Sequence, residues 1–183
     1  MRENGNQVLR RYLEEIISAK RTFEAQLREF AGVEKDDEDV RRLFVTLADA
    51  VHDQVQRLAQ RLESIGGSTG HAKSSLASLF HLISPLPHVI HAPEERSLRN
   101  LITSYMAGTG ELAFYEAVAN IARAAGDSDS EALARQIQNE QRIAAEKIWH
   151  LLPSRSKIAF NMLTVSEVDP AVETKMADDR LGS

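Results

Sequence analysis

Apolar residues recur along this chain at helical spacing, and nowhere do they alternate as in a strand. Between about Gln7 and Phe30, Leu9, Tyr12, Leu13, Ile16, Phe23, Leu27 and Phe30 fall on one face, which predicts a first amphipathic helix. Gly32 and the KDDED stretch end it. Asp36 or Asp37 is placed to cap a second helix, whose acidic first turn suits the positive end of the helix dipole. That helix has the cleanest stripe in the chain: Val40, Phe44, Leu47, Val51, Val55, Leu58, Leu62 and Ile65, closed by Gly66-Gly67. The short loop between the two helices makes them antiparallel neighbours.

From Ser68 to Ala92 the pattern changes. This stretch holds Gly70, Pro85, Pro87 and four of the six histidines. A short helix from about Lys73 to Ile83 and an extended PLPHVIHAP segment are expected, together long enough to cross from one end of a bundle to the other. Pro93 then sits at a good first helical position. A third helix follows to about Ala125, apolar or small nearly all round from Leu112 onward and so expected to be the most buried. Gly126 ends it. Asp127, Ser128 or Asp129 caps a fourth helix that runs to Leu152, before Pro153. A short fifth helix, about Ser156 to Leu163, is expected across one end, and from Ser166 to Ser183 a polar, mobile tail. Hairpin, long crossover, hairpin is the layout of an all-α, ferritin-like four-helix bundle. Residues 1–165 form one domain in this reading.

Composition narrows the function. The chain has 183 residues, enough for one domain with a real core. Aromatics are only 5 %, as suits an aliphatic helical interior. A net charge of −5 without a basic stripe disfavours a nucleic-acid partner. The absence of cysteine excludes disulfides, thiolate metal sites and a cysteine nucleophile. The N-terminus lacks the pattern of a secretory signal, and no apolar run is long enough to span a bilayer, so a cytoplasmic location is expected. No nucleotide-binding glycine loop or Ser-His-Asp spacing is found.

One residue breaks the pattern. In LARQIQNEQRIAAEKIWHLL (133–152) the apolar stripe is Leu133, Ile137, Ala144, Ile148 and Leu151, and Glu140 fills its gap, within roughly 40° of the stripe centre. A carboxylate buried alone costs several kcal/mol, so it needs a metal, a cation or hydrogen bonds. Glu116 on the third helix is a candidate companion at similar depth. The two would share a metal or a proton; otherwise Glu140 pairs with Arg, Lys or Tyr115 at the bundle edge.

The sequence resembles the ferritin-like bacterial stress proteins typified by YciE and YciF over roughly residues 9–152. The likeness rests on the helix order and on FEAQL (23–27), DAVHDQVQRL (49–58) and ELAFYEAVANIARAAG (111–126). It implies a dimer and a di-metal centre with one Glu from each of two helices and a Glu-x-x-His pair from each of the others. Carried over, Glu24 matches the first-helix Glu, Asp49 and His52 match one carboxylate-x-x-His pair, and Glu140 matches the carboxylate of the second. Ile143 stands where the second His would be. Gly108 stands where the third-helix Glu would be, with Glu111 one turn later.

Each candidate also has a plainer account. Asp49 and His52 lie roughly 160° and 100° from the centre of the Val51 stripe, on a solvated side unless a dimer covers it. Glu24 is one turn from Lys20, a spacing for an ion pair. His88 and His91 form an H-x-x-H that is short of ligands for zinc. The tail is either a docking peptide or an ordinary disordered end. The departures at 108 and 143 favour a ferritin-like stress-response protein with an incomplete di-metal centre, acting as a homodimer or as a module for another protein partner. The alternative is an iron or manganese protein handling oxygen or peroxide through Glu24, Asp49, His52, Glu111 or Glu116, and Glu140. A bundle unrelated to ferritins is the third reading.

Overall fold

The computed structural model describes residues 4–69 and 93–165, and every regular element within them is helical. The helices are α1 (Gly5–Val33), α2 (Glu38–Ser64), α3 (Pro93–Ala124) and α4 (Ser128–Val165). The short helix expected over 73–83, the His88/His91 segment and the tail from Ser166 lie outside the described residues.

The helix ends follow local chemistry. Asn4 and Gln7 form a reciprocal capping box, each side chain accepting from the other's backbone N–H at 2.9 Å, so α1 starts before Gln7. Asp37 caps α2 by accepting from the Val40 N–H at 3.1 Å. Asp127 is the residue that caps α4, accepting from the Ser130 N–H at 2.9 Å. The exits from α2 and α3 both need glycine. Gly66 (φ 79°) and Gly126 (φ 75°) take the left-handed conformation that closes α2 and α3. The two following N–H groups, on Gly67 and Asp127, return to Leu62 and Ala122 at 2.9 Å.

Two apolar clusters are stacked along the bundle. One holds Leu9, Leu13, Ile16, Ile17, Val55, Leu58, Leu62, Tyr115, Val118 and Ile137. The other holds Phe23, Leu27, Phe30, Val40, Phe44, Leu47, Val51, Leu101, Ala107 and Ile148. Helices α1 and α4 run from the first cluster to the second; α2 and α3 run the other way. The topology is therefore up-down-down-up, with α2 parallel to α3, as the expected crossover requires.

Two expectations are corrected. The separate fifth helix does not exist: its residues are the last turns of α4, which continues through Pro153. Proline inside a helix removes a backbone donor and costs about 3 kcal/mol, but the far side is anchored. Arg155 donates two bonds to Asp37 at 2.6 and 2.8 Å, and Ala159 is buried. Nor is the second half of α3 buried all round, because Glu116, Asn120 and Arg123 form an exposed stripe along it.

Candidate functional site

The two apolar clusters are parted by a polar layer to which each helix gives one buried side chain. Lys20 (α1) is 0 % exposed, Gln54 (α2) 3 %, Glu111 (α3) 2 % and Gln141 (α4) 3 %. Each lies in its own helix between residues of the first cluster and residues of the second. Lys20 is the hub. Its Nζ lies 2.5 Å from Glu111 Oε2 and donates to Gln141 Oε1 at 2.9 Å. The amide of Gln141 has room because residue 108 is glycine: a Cβ there would lie 2.5 Å from Gln141 Nε2.

Burial pushes the Lys20 ammonium below its ordinary pKa, while Glu111 pulls it back. Burial likewise pushes the Glu111 carboxyl up, against the pull of Lys20. The Tyr115 hydroxyl, also fully buried, is pushed well above the ordinary range by desolvation and by the neighbouring Glu111. Apart from the Lys20 ion pair at Oε2, the two Glu111 oxygens, the Tyr115 hydroxyl and the Ser104 hydroxyl have no hydrogen-bond partner among the described residues.

Glu140 lies beside this layer rather than in it. The buried line of α4 passes through Ala134, Ile137, Gln141, Ala145 and Ile148, one position round from the expected stripe. Glu140 therefore reaches the α2 edge. Its oxygens accept from Arg57 at 3.0 and 2.5 Å and from Gln54 at 3.1 Å. Burial would raise its pKa, but the Arg57 and Gln54 bonds outweigh this and hold it below the ordinary value. With Arg57, Gln54 and Ile143 it lines a groove of about 480 Å³ between α2 and α4. Ile143, standing for the missing His, is exposed on that groove.

Glu116 is not the companion of Glu140. It faces solvent, where Arg135 binds it, aided by Gln138 and Asn120, and its pKa falls to about 2. Glu111 is the inward carboxylate of α3. Glu24 pairs with Arg28 at 2.9 Å rather than with Lys20, and Arg28 also reaches Asp49 at 3.2 Å. His52 Nδ1 lies 3.2 Å from Glu24, while Asp49 and His52 are otherwise exposed. So Glu24 and His52 meet on the outer side of α1 and α2, and Asp49 is joined to Glu24 only through Arg28. Glu111 and Glu140 are engaged elsewhere, and Glu116 is held on the exposed side of α3 by Arg135.

This donor set does not fit a di-metal centre. Its inner carboxylate contacts an ammonium, its α4 carboxylate is clamped by a guanidinium, and the α3 ligand position is filled by an amide. Among the described residues, no three His, Asp or Glu are grouped to hold a metal ion.

Comparison with known proteins places this geometry. No curated protein sequence matches the chain. Among solved structures, a protein from Xanthomonas campestris pv. campestris is 17 % identical with a TM-score of 0.73, covering 88 % of this chain and 99 % of its own. The Escherichia coli stress protein YciF is also 17 % identical with a TM-score of 0.71, covering 85 % of this chain and 99 % of its own. A DPS protein from Vibrio cholerae O1, described as a member of a broad superfamily of ferritin-like diiron-carboxylate proteins, is 16 % identical with a TM-score of 0.65, covering 81 % and 91 %. These likenesses establish the ferritin-like fold. Residues 5–160 match the family described as "Domain of unknown function (DUF892)", and the chain belongs to that family.

Proposed function

We propose that this chain is a ferritin-like protein of the stress-response kind that works without a complete di-metal centre, as a helical homodimer or interaction module. One observation carries the reading: the carboxylates a metal would need are already neutralised by the chain's own cations. Glu140 is held by Arg57 and Glu111 by Lys20. An exposed apolar face supports the interaction role. Trp149 packs at a tilt against Tyr105 with ring centroids 5.3 Å apart, and Ile102 and Met106 are exposed on the same helix as Tyr105. The test is metal content and mass in solution. Protein expressed with iron and manganese supplied is expected to carry far less than one metal per chain and to sediment as a dimer that Trp149→Glu weakens. Near-stoichiometric metal, lost in Glu140→Ala, would overturn it.

A second reading is favoured by the contact of Glu24 with His52 and by Arg28, which bridges Glu24 to Asp49. A single ion bound on this outer side, displacing Arg28, would give an altered metalloprotein handling oxygen or peroxide. It predicts metal lost in Glu24→Ala but kept in Glu140→Ala.

A further inference from the structure

The Lys20–Glu111 contact raises its own question, because a lysine with no exposed surface in the middle of a helical bundle is costly. Four observations bear on why it is there. Lys20 lies in the one layer to which all four helices contribute a buried polar group, between the two apolar clusters. In ferritin-like di-metal proteins the ligands likewise come from all four helices and project inward. The ammonium faces two oxygens from the two helices of the α3–α4 hairpin, Glu111 Oε2 at 2.5 Å and Gln141 Oε1 at 2.9 Å. Apart from that ion pair, neither Glu111 oxygen has a hydrogen-bond partner among the described residues. Finally, Gly108 leaves the space that lets Gln141 turn toward the lysine.

We propose that Glu111 and Gln141 form a cation site at the centre of the bundle, and that the Lys20 ammonium is its resident cation, tethered to α1. The inference rests on the reading that no complete di-metal centre is present. It adds that the central position is still a cation site, one whose ligand class is a primary ammonium. The Lys20 ammonium lies over the rings of Phe23 and Tyr115, with Nζ 6.0 and 5.5 Å from their centroids, and the whole side chain is buried, so the site favours an organic ammonium with an apolar tail over a hydrated ion.

Removing the tether while keeping the site tests this. Lys20→Ala loses the carbons and the ammonium that n-propylammonium can return. The full-length variant is refolded from urea with propylammonium chloride, n-propanol or sodium chloride, and helical circular dichroism is followed through thermal unfolding. Propylammonium is expected to raise the midpoint by about 3–6 °C at tenfold excess over its dissociation constant. Sodium chloride and n-propanol should not do so. If Lys20→Ala is unfolded alone, recovery of helix with propylammonium is the same result. The wild type and the Lys20→Ala/Glu111→Gln double variant should not respond. Equal help from n-propanol, a response in the double variant, or no response in Lys20→Ala would each overturn the proposal. The metal count of the wild type tests the underlying reading independently, since amine rescue is read on the variant and does not depend on it.

Discussion

Two regions of this molecule use the same side chains to opposite effect. At the outer side of α1 and α2, Glu24, Arg28, Asp49 and His52 form a charged chain in contact with water. In the centre, Lys20, Glu111, Gln141 and Gln54 form a polar layer with almost no exposed surface. Both pair carboxylates with cations at hydrogen-bonding distance, so distance does not separate them. Burial does. Exposed ion pairs are worth about 0–1 kcal/mol, because water and salt screen them. A buried pair that loses one partner leaves an uncompensated charge and costs about 3–5 kcal/mol. The outer set can therefore vary almost freely, whereas the inner set must be kept or replaced as a unit.

The largest expected effect follows from that coupling. Lys20→Met strands the Glu111 carboxylate and is expected to lose about 3–5 kcal/mol in urea unfolding. Glu111→Leu strands the ammonium with a similar loss. The double variant Lys20→Met/Glu111→Leu should recover most of it, and a purely additive cycle would break the comparison at its centre.

A smaller effect separates two glycines of α3. Gly→Ala inside a helix ordinarily gains roughly 0.5–1 kcal/mol. Gly110 has nothing within 4 Å of an added Cβ, so Gly110→Ala should show that gain. Gly108→Ala should not, because its Cβ would lie 2.5 Å from Gln141 Nε2 and disturb the layer. Matching gains at both positions, read from denaturation midpoints, would mean that Gln141 is not held there.

Glu140 stands between the two regimes, since it is about one-third exposed and bound to Arg57. Its pKa is held below the ordinary 4.5, so it contributes stability above about 4.5 that is lost as pH falls through the folded value. Glu140→Gln should cost less than about 1 kcal/mol at pH 7 and flatten the acid side of the stability profile. A steeper acid loss in the variant would reverse the sign assigned to Glu140. Smallest of all, Asp49→Asn should change stability by less than about 0.5 kcal/mol at moderate salt; a loss above 1 kcal/mol would place Asp49 in a tighter network than its exposure allows.

Much of the fold was legible in the sequence because long helices announce themselves by periodicity and by their stops. Local chemistry alone gives the stops at Gly66 and Gly126 and narrows the α2 cap to Asp36 or Asp37, of which the structure uses Asp37. Pro153 was misread, since local rules see the missing donor but not the distant Asp37 that holds Arg155. The site was legible in kind rather than in place. A polar residue in an apolar stripe was the right signal, and it was followed at Glu140. The same signal stood at Lys20, in the gap between Ile16 and Phe23, and at Gln54, between Val51 and Val55. At Lys20 the signal is masked because helical spacing also offers Glu24 as an ion-pair partner one turn away. On α4, the small residues Ala134 and Ala145 turn the buried line one position further, from Glu140 to Gln141. Which of two neighbours points inward is a property of the packed bundle, and no single helix reveals it.

The central claim is that the chain's own charges fill the middle of this ferritin-like bundle. Crystals grown with excess manganese(II) and measured at a wavelength where it scatters anomalously test it most directly. The account predicts no anomalous peak inside the bundle, with Lys20 Nζ seated between Glu111 and Gln141. A strong peak within coordination distance of Glu111 or Glu140, with Lys20 or Arg57 turned away, would contradict it.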